Sequence, residues 1–164
     1  MANRQITVER FSVTSSRTFG EVTTAFDAAL GHPDMTGFRE NVTDAKSYTE
    51  LETVVRGAVG SSGLMEFIRL DLGDVLRKEL GAKAPQSLRY LVGNPLIMKR
   101  MVERVPDAGS YAPVTILIDE RPDGVHLSYD RMESFLAPYG DPEAQNVARD
   151  LDAKIEALLT AAAC

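Results

Sequence analysis

A chain of 164 residues, 44% apolar and 26% charged, is long enough for one domain that buries about two thirds of its unfolded surface. Its net charge of −6 disfavours non-specific binding to nucleic acid or to an anionic membrane, and no apolar stretch approaches the length of a membrane span. The single cysteine, Cys164 at the last position, excludes a disulfide framework within one chain. Met1-Ala2-Asn3-Arg4 leads into alternating residues rather than an apolar leader, so a cytoplasmic protein is expected.

Gln5 to Ser15 alternates Ile6 and Val8 against Thr7, Glu9, Phe11 and Val13, which predicts a first strand. Thr18-Phe19-Gly20-Glu21 fits a capping box. Phe19, Val22, Phe26, Ala29 and Leu30 then form a helical stripe, with Gly31 as its stop. His32 to Asp44 has no clear period and contains Pro33 and Gly37. That segment reads as an irregular connection, long for a compact domain and so a candidate lid or site wall; His32 reads as a surface residue. Ser47-Tyr48-Thr49-Glu50 is a second capping box, followed by Leu51, Val54, Val55 and Ala58 on one face. After the turn Gly60-Ser61-Ser62-Gly63, Leu64 to Leu70 reads as a second strand and Asp74 to Leu80 as a short helix closed by Gly81.

The most organised stretch runs from Arg89 to Asp130. Leu88 to Val92 is a short apolar run stopped by Gly93-Asn94-Pro95. Asn is a strong N-cap and Pro is favoured at the first helical position. Ile97, Met98, Met101, Val102 and Val105 follow at helical spacing, and Pro106 ends that helix. Val114, Ile116 and Ile118 alternate with Thr115, Leu117 and Asp119, and Arg121-Pro122-Asp123-Gly124 is a turn signal. A four-residue loop sets Glu120 opposite Val125, Asp119 opposite His126 and Ile118 opposite Leu127. Arg131 to Ala137 reads as one more short helix. Asp141-Pro142 opens a final helix to about Thr160, with Ala144, Val147, Ala148, Leu151, Ile155, Leu158 and Ala162 as its stripe. The order predicts a single α+β domain over 1–164 in two layers: a mainly antiparallel sheet of about five strands with helices on one face.

Over roughly Gly63 to Gly140 the chain resembles domain-of-unknown-function family 302, a bacterial and archaeal family. The residues that carry the likeness are Phe67-Ile68-Arg69-Leu70-Asp71-Leu72, then Gly93-Asn94-Pro95, Pro113, Asp119-Glu120, Gly124 and Tyr129-Asp130. The resemblance implies an α+β fold and a homo-oligomer, and it implies no assigned activity. The family pattern has His after the Asp, and this chain has Leu72 there. Chemistry built on that imidazole is therefore not carried over.

Asp119 and His126 form a candidate acid–base dyad, with the carboxylate orienting the imidazole; the alternative is a solvated polar sheet face, or one that meets another subunit. Asn94 either caps its helix or contributes to an anion or ligand site there. Arg69 and Asp71 share a face by period two, as an ion pair or as a ligand clamp. Tyr129 is a candidate donor to a ligand. Met98 and Met101 lie on the apolar stripe and read as core filling rather than soft-metal ligands. Two histidines and a terminal cysteine give no zinc spacing, so no metal is expected and the cofactor is left open. The combined reading is a homodimeric small-molecule-binding module for a small polar ligand, with Arg69, Asp71, Asn94 and Tyr129 as its binding residues. The alternatives are an enzyme on a small polar metabolite using Asp119 and His126, or an interaction protein with no ligand.

Overall fold

The computed structural model describes residues 3–164; the first two residues of the Met1–Arg4 start lie outside the described residues. Five strands, β1 (Arg10–Ser15), β2 (Met65–Asp71), β3 (Ser87–Gly93), β4 (Val114–Arg121) and β5 (Gly124–Asp130), form one sheet in the order β1-β5-β4-β3-β2 with every neighbour antiparallel. Seven α-helices accompany them: α1 (Phe19–Ala28), α2 (Met35–Asp44), α3 (Tyr48–Ala58), α4 (Leu72–Leu80), α5 (Pro95–Val102), α6 (Met132–Leu136) and α7 (Pro142–Ala163). Short polar residues set six of the helix starts. Thr18, Asp34, Ser47, Asp71, Asn94 and Asp141 each accept a hydrogen bond from a backbone N–H in the turn that follows, satisfying donors that a helix leaves free.

The β4–β5 hairpin has the expected register, with Asp119 opposite His126, Ile118 opposite Leu127 and Glu120 opposite Val125. Its apolar face, Ile116, Ile118, Val125, Leu127 and Tyr129, is buried. α1 and α7 pack over that face, and Val147, Leu151, Ile155 and Leu158 of α7 are buried with it in one core. Full burial contributes about 1.5–3 kcal/mol for each such side chain before entropy is counted. A smaller cluster of Phe38, Val55 and Met65 lies where α2 and α3 meet the start of β2. The architecture is α+β, as expected. Among the described residues no helix is long and apolar enough to cross a membrane.

Three local expectations are corrected. The first strand begins at Arg10, not Gln5. β5 leaves the sheet after Asp130, the partner of Arg10, and the pairing closes where the Glu9 carbonyl accepts from the Arg131 N–H at 2.8 Å. The 32–44 connection is not irregular: Met35–Asp44 is α2, capped by Asp34, whose carboxylate accepts from the Gly37 N–H at 2.8 Å. Met35, Phe38 and Val42 pack from it onto the small cluster, so it is a core helix rather than a lid. Finally, α1 ends at Ala28, before Gly31. Gly31 instead bridges to Met65 and lies against Ala58 and Gly60, where a Cβ would collide with the Ala58 carbonyl. Glycine is needed at that point for a backbone crossing, not for a helix stop.

Candidate functional site

An apolar cleft of about 220 Å³ opens where β3 runs into α5. Val92, Met101, Val114 and Leu151 form its buried floor, and Phe67, Ile97, Met98 and Pro113 contribute to its walls. Pro113 follows Ala112 through a cis peptide bond. Asn94 supplies the one polar side chain among the described lining residues. Its Oδ1 accepts from the Leu96 N–H at 2.8 Å, and its Nδ2 donates to the Gly63 carbonyl at 2.9 Å. Asn94 is therefore a helix cap that also ties α5 to the turn before β2. A side-chain amide has two donors and two acceptor lone pairs, so one of each remains for a ligand.

Arg69 lies elsewhere, against the end of α1. Its guanidinium reaches Glu66 Oε2 at 2.7 Å and Asp27 Oδ1 at 2.8 Å, and it sits 4.9 Å from the Tyr90 ring centroid. A register irregularity between Glu66 and Ile68 changes the alternation, which brings Glu66 and Arg69 onto one side of β2. His32 completes the group, with Nε2 at 2.9 Å from the Asp27 carbonyl and Nδ1 at 3.6 Å from Glu66. Burial pushes the Asp27 carboxyl above its usual range, while Arg69 opposes the shift. Tyr90 is fully buried, and its hydroxyl is left without a hydrogen-bond partner. Asp71 shares the strand face of Arg69 but does not pair with it. It caps α4 through the Asp74 N–H at 2.9 Å and binds Arg77 at 2.7 Å, and that Arg77 bond holds its carboxyl below the usual range.

The Asp119 and His126 side chains stand opposite each other in register but are engaged with other groups. Asp119 binds Arg121 at 2.7 Å. His126 Nε2 lies 2.8 Å from Asp123, and Nδ1 lies 3.5 Å from the Thr14 hydroxyl. Tyr129 faces the core, where its hydroxyl donates to the Asp152 carboxylate at 2.6 Å. Asp152 is fully buried and also accepts from the N–H groups of Met132 at 2.7 Å and Glu133 at 3.0 Å. It thus caps α6 from α7. Burial raises the Asp152 carboxyl above its usual range, and the donors around it hold that rise back.

The expected binding residues do not meet in one place. Asn94 is at the cleft, Arg69 in the Asp27–Glu66 group, Asp71 at the start of α4, and Tyr129 under α6. Asp152 was missed although it falls within the apolar stripe of α7, between Leu151 and Ile155. A carboxylate in a core-facing helical position signals a buried partner. The group around Asp27 had no sequence signal, because a strand irregularity and a chain crossing assemble it. Among the described residues no group of three or more His, Cys, Asp or Glu side chains could hold a metal ion.

The family model described as "Domain of unknown function DUF302" matches residues 38–162. Among solved structures, the chain is similar to an uncharacterized conserved protein DUF302 from Bacillus stearothermophilus. The match has a TM-score of 0.65 at 12% identity, covering 93% of this chain and 97% of that one. At that identity the likeness speaks to the fold. No curated protein matches the chain.

Proposed function

The chain belongs to the DUF302 family, and from that premise we propose that it is a homodimeric small-molecule-binding module whose cleft beside Asn94 takes a mainly apolar ligand with one polar end. The observation that carries the reading is the cleft itself, concave, apolar and with a single polar side chain among its described lining residues. Ligand sites combine an apolar lining with few orienting polar groups. A space of this size suits a small aromatic ring system; apolar cavities of about 150 Å³ accept benzene. The small polar ligand expected from the sequence fits this lining poorly, because Arg69, Asp71 and Tyr129 do not line it.

Indole and naphthalene are suitable probes in a thermal-shift titration. Indole near 100 times its dissociation constant should stabilise the fold by about 2.7 kcal/mol, a rise of roughly 5–10 °C in melting temperature for a chain of this size. Gly93→Val, which extends a side chain towards Phe67 and Pro113, should abolish the shift. Absence of any shift with either probe, or a shift that survives Gly93→Val, would reject the cleft as the binding site.

A further inference from the structure

The exposed large apolar side chains of this chain are concentrated in one stretch. Ile68, Leu70, Leu72, Val75, Leu76 and Leu80 are all 38% or more exposed, with Val75 at 72%. Ile68 and Leu70 lie opposite Leu91 and Arg89, on the sheet face turned away from buried Tyr90 and Val92. Leu72, Leu76 and Leu80 recur every four residues along α4, with Val75 beside them. That is the stripe of a helix that covers a core, yet it is turned outward. The opposite side of α4 is seated on its own chain, where Gly73 is buried against the Pro85 carbonyl and the Ser87 N–H. β2 is also an edge strand of the sheet. Gly31 bridges it only at Met65.

We infer that the α4–β2 face is the interface with a second copy of this chain, packed about a two-fold axis. The inference rests on the self-association in the reading above and gives it a location. Area is the first argument. The six side chains leave several hundred square ångströms of apolar surface in water, the upper end of what a monomer exposes. Facing its own copy, such a patch buries on the order of 1,000 Å², the scale at which specific interfaces begin. Charge is the second. From Leu70 to Lys83 the chain carries three basic and three acidic residues, whereas the whole chain has a net charge of −6. The excess negative charge lies elsewhere, so two copies meeting here face no like-charge barrier. Two of the basic groups beside the stripe are paired within the chain, Arg77 with Asp71 at 2.7 Å and Lys78 with Asp74 at 3.9 Å. A two-fold contact needs a self-complementary patch, and an apolar patch with a neutral margin meets that need.

Sedimentation velocity on the full-length chain tests this, using wild type, Val75→Glu and Leu80→Glu. Both positions are exposed in the single chain, so circular dichroism should show both variants folded. The wild type is expected to be a dimer, and each variant a monomer or a dimer weakened at least tenfold. A wild type that remains monomeric at about 100 µM overturns both the self-association and its location. A dimer that persists unchanged in both variants keeps the self-association and overturns the location. Should the variants fail to fold, hydrogen exchange on wild type decides. Amides of 68–80 that slow as concentration rises support the interface, and amides that do not respond overturn it. A monomeric wild type that co-sediments with phosphatidylcholine vesicles would assign the face to a lipid surface instead.

Discussion

Three polar groups at the base of α6 depend on Asp152. The Tyr129 hydroxyl and the N–H groups of Met132 and Glu133 all donate to it. Leaving a buried donor unpaired costs about 1–3 kcal/mol. The Met132 N–H keeps the Tyr129 oxygen as a second acceptor at 3.1 Å, so Asp152→Ala, which orphans the other two donors, should destabilise the fold by at least about 2 kcal/mol. Tyr129→Phe removes the bond to Asp152 and the longer bond from the Met132 N–H, but that N–H keeps Asp152, so the change should cost only about 1 kcal/mol. Urea unfolding of the two variants checks the order; equal losses would show that Asp152 does not hold α6 through its backbone. Asn94 makes a cap bond and a bond to Gly63. Asn94→Ala should therefore cost about 2 kcal/mol, about one for the cap and about one for the second hydrogen bond. The same variant should weaken indole binding up to about tenfold, one hydrogen bond's worth, and leave naphthalene binding alone. Titrating both probes on the variant separates a structural cap from a ligand contact.

At the scale of the element, α7 closes the sheet. Its buried residues run from Ala144 to Ala163, and the Ser15 hydroxyl and the Arg17 guanidinium bond to the carbonyls of Ala163 and Ala162. A chain ending at Asp141 would expose the apolar face of β4 and β5 and should be insoluble or molten, with ANS fluorescence and loss of near-ultraviolet dichroism as the readouts. A truncated chain that stays folded and soluble would place α7 outside the core. The hairpin beside it shows how pairing fixes orientation. Period-two alternation puts Val114, Ile116 and Ile118 on one face, and a slip of one residue would turn all three to solvent. The same rule fails at β2, where the irregularity after Glu66 gathers Glu66 and Arg69 on one side.

For the whole molecule, burial raises two carboxyls, those of Asp152 and the half-buried Asp27, and substitution of Asp27 isolates its share of the pH dependence of stability. Its pKa is raised by burial in the folded state. A carboxyl with a raised folded pKa contributes most below its unfolded value of about 3.9, and that contribution is lost as pH rises through the folded value. Asp27→Asn removes the titration. The variant should therefore gain stability relative to wild type between about pH 3 and about pH 7. Urea unfolding at the two pH values measures the difference. A constant offset would show that Arg69 cancels the effect of burial, and a relative loss with rising pH would show that it holds the carboxylate charged.

Local chemistry alone determined much of this protein. Helix starts at Thr18, Ser47, Asn94 and Asp141, the alternating hairpin strands, and the stripe of α7 were legible because each depends on residues within about one or two turns. The α+β class followed from their order. α2 was hidden because Pro33 and Gly37 read as breakers, although Pro33 stands before the cap and Gly37 donates to it. Asn94 was legible as a cap, but the cleft beside it was not, since its floor and walls come from Phe67, Met98, Pro113 and Leu151, far apart in the chain. Whether Arg69 meets Asp71 or Asp27, and whether His126 meets Asp119 or Asp123, was decided by side-chain reach across the folded surface. Strand register sets which residues are neighbours; only tertiary packing sets which of several nearby charges a flexible side chain finds, and which apolar stripe, α7 or α4, is covered by its own chain.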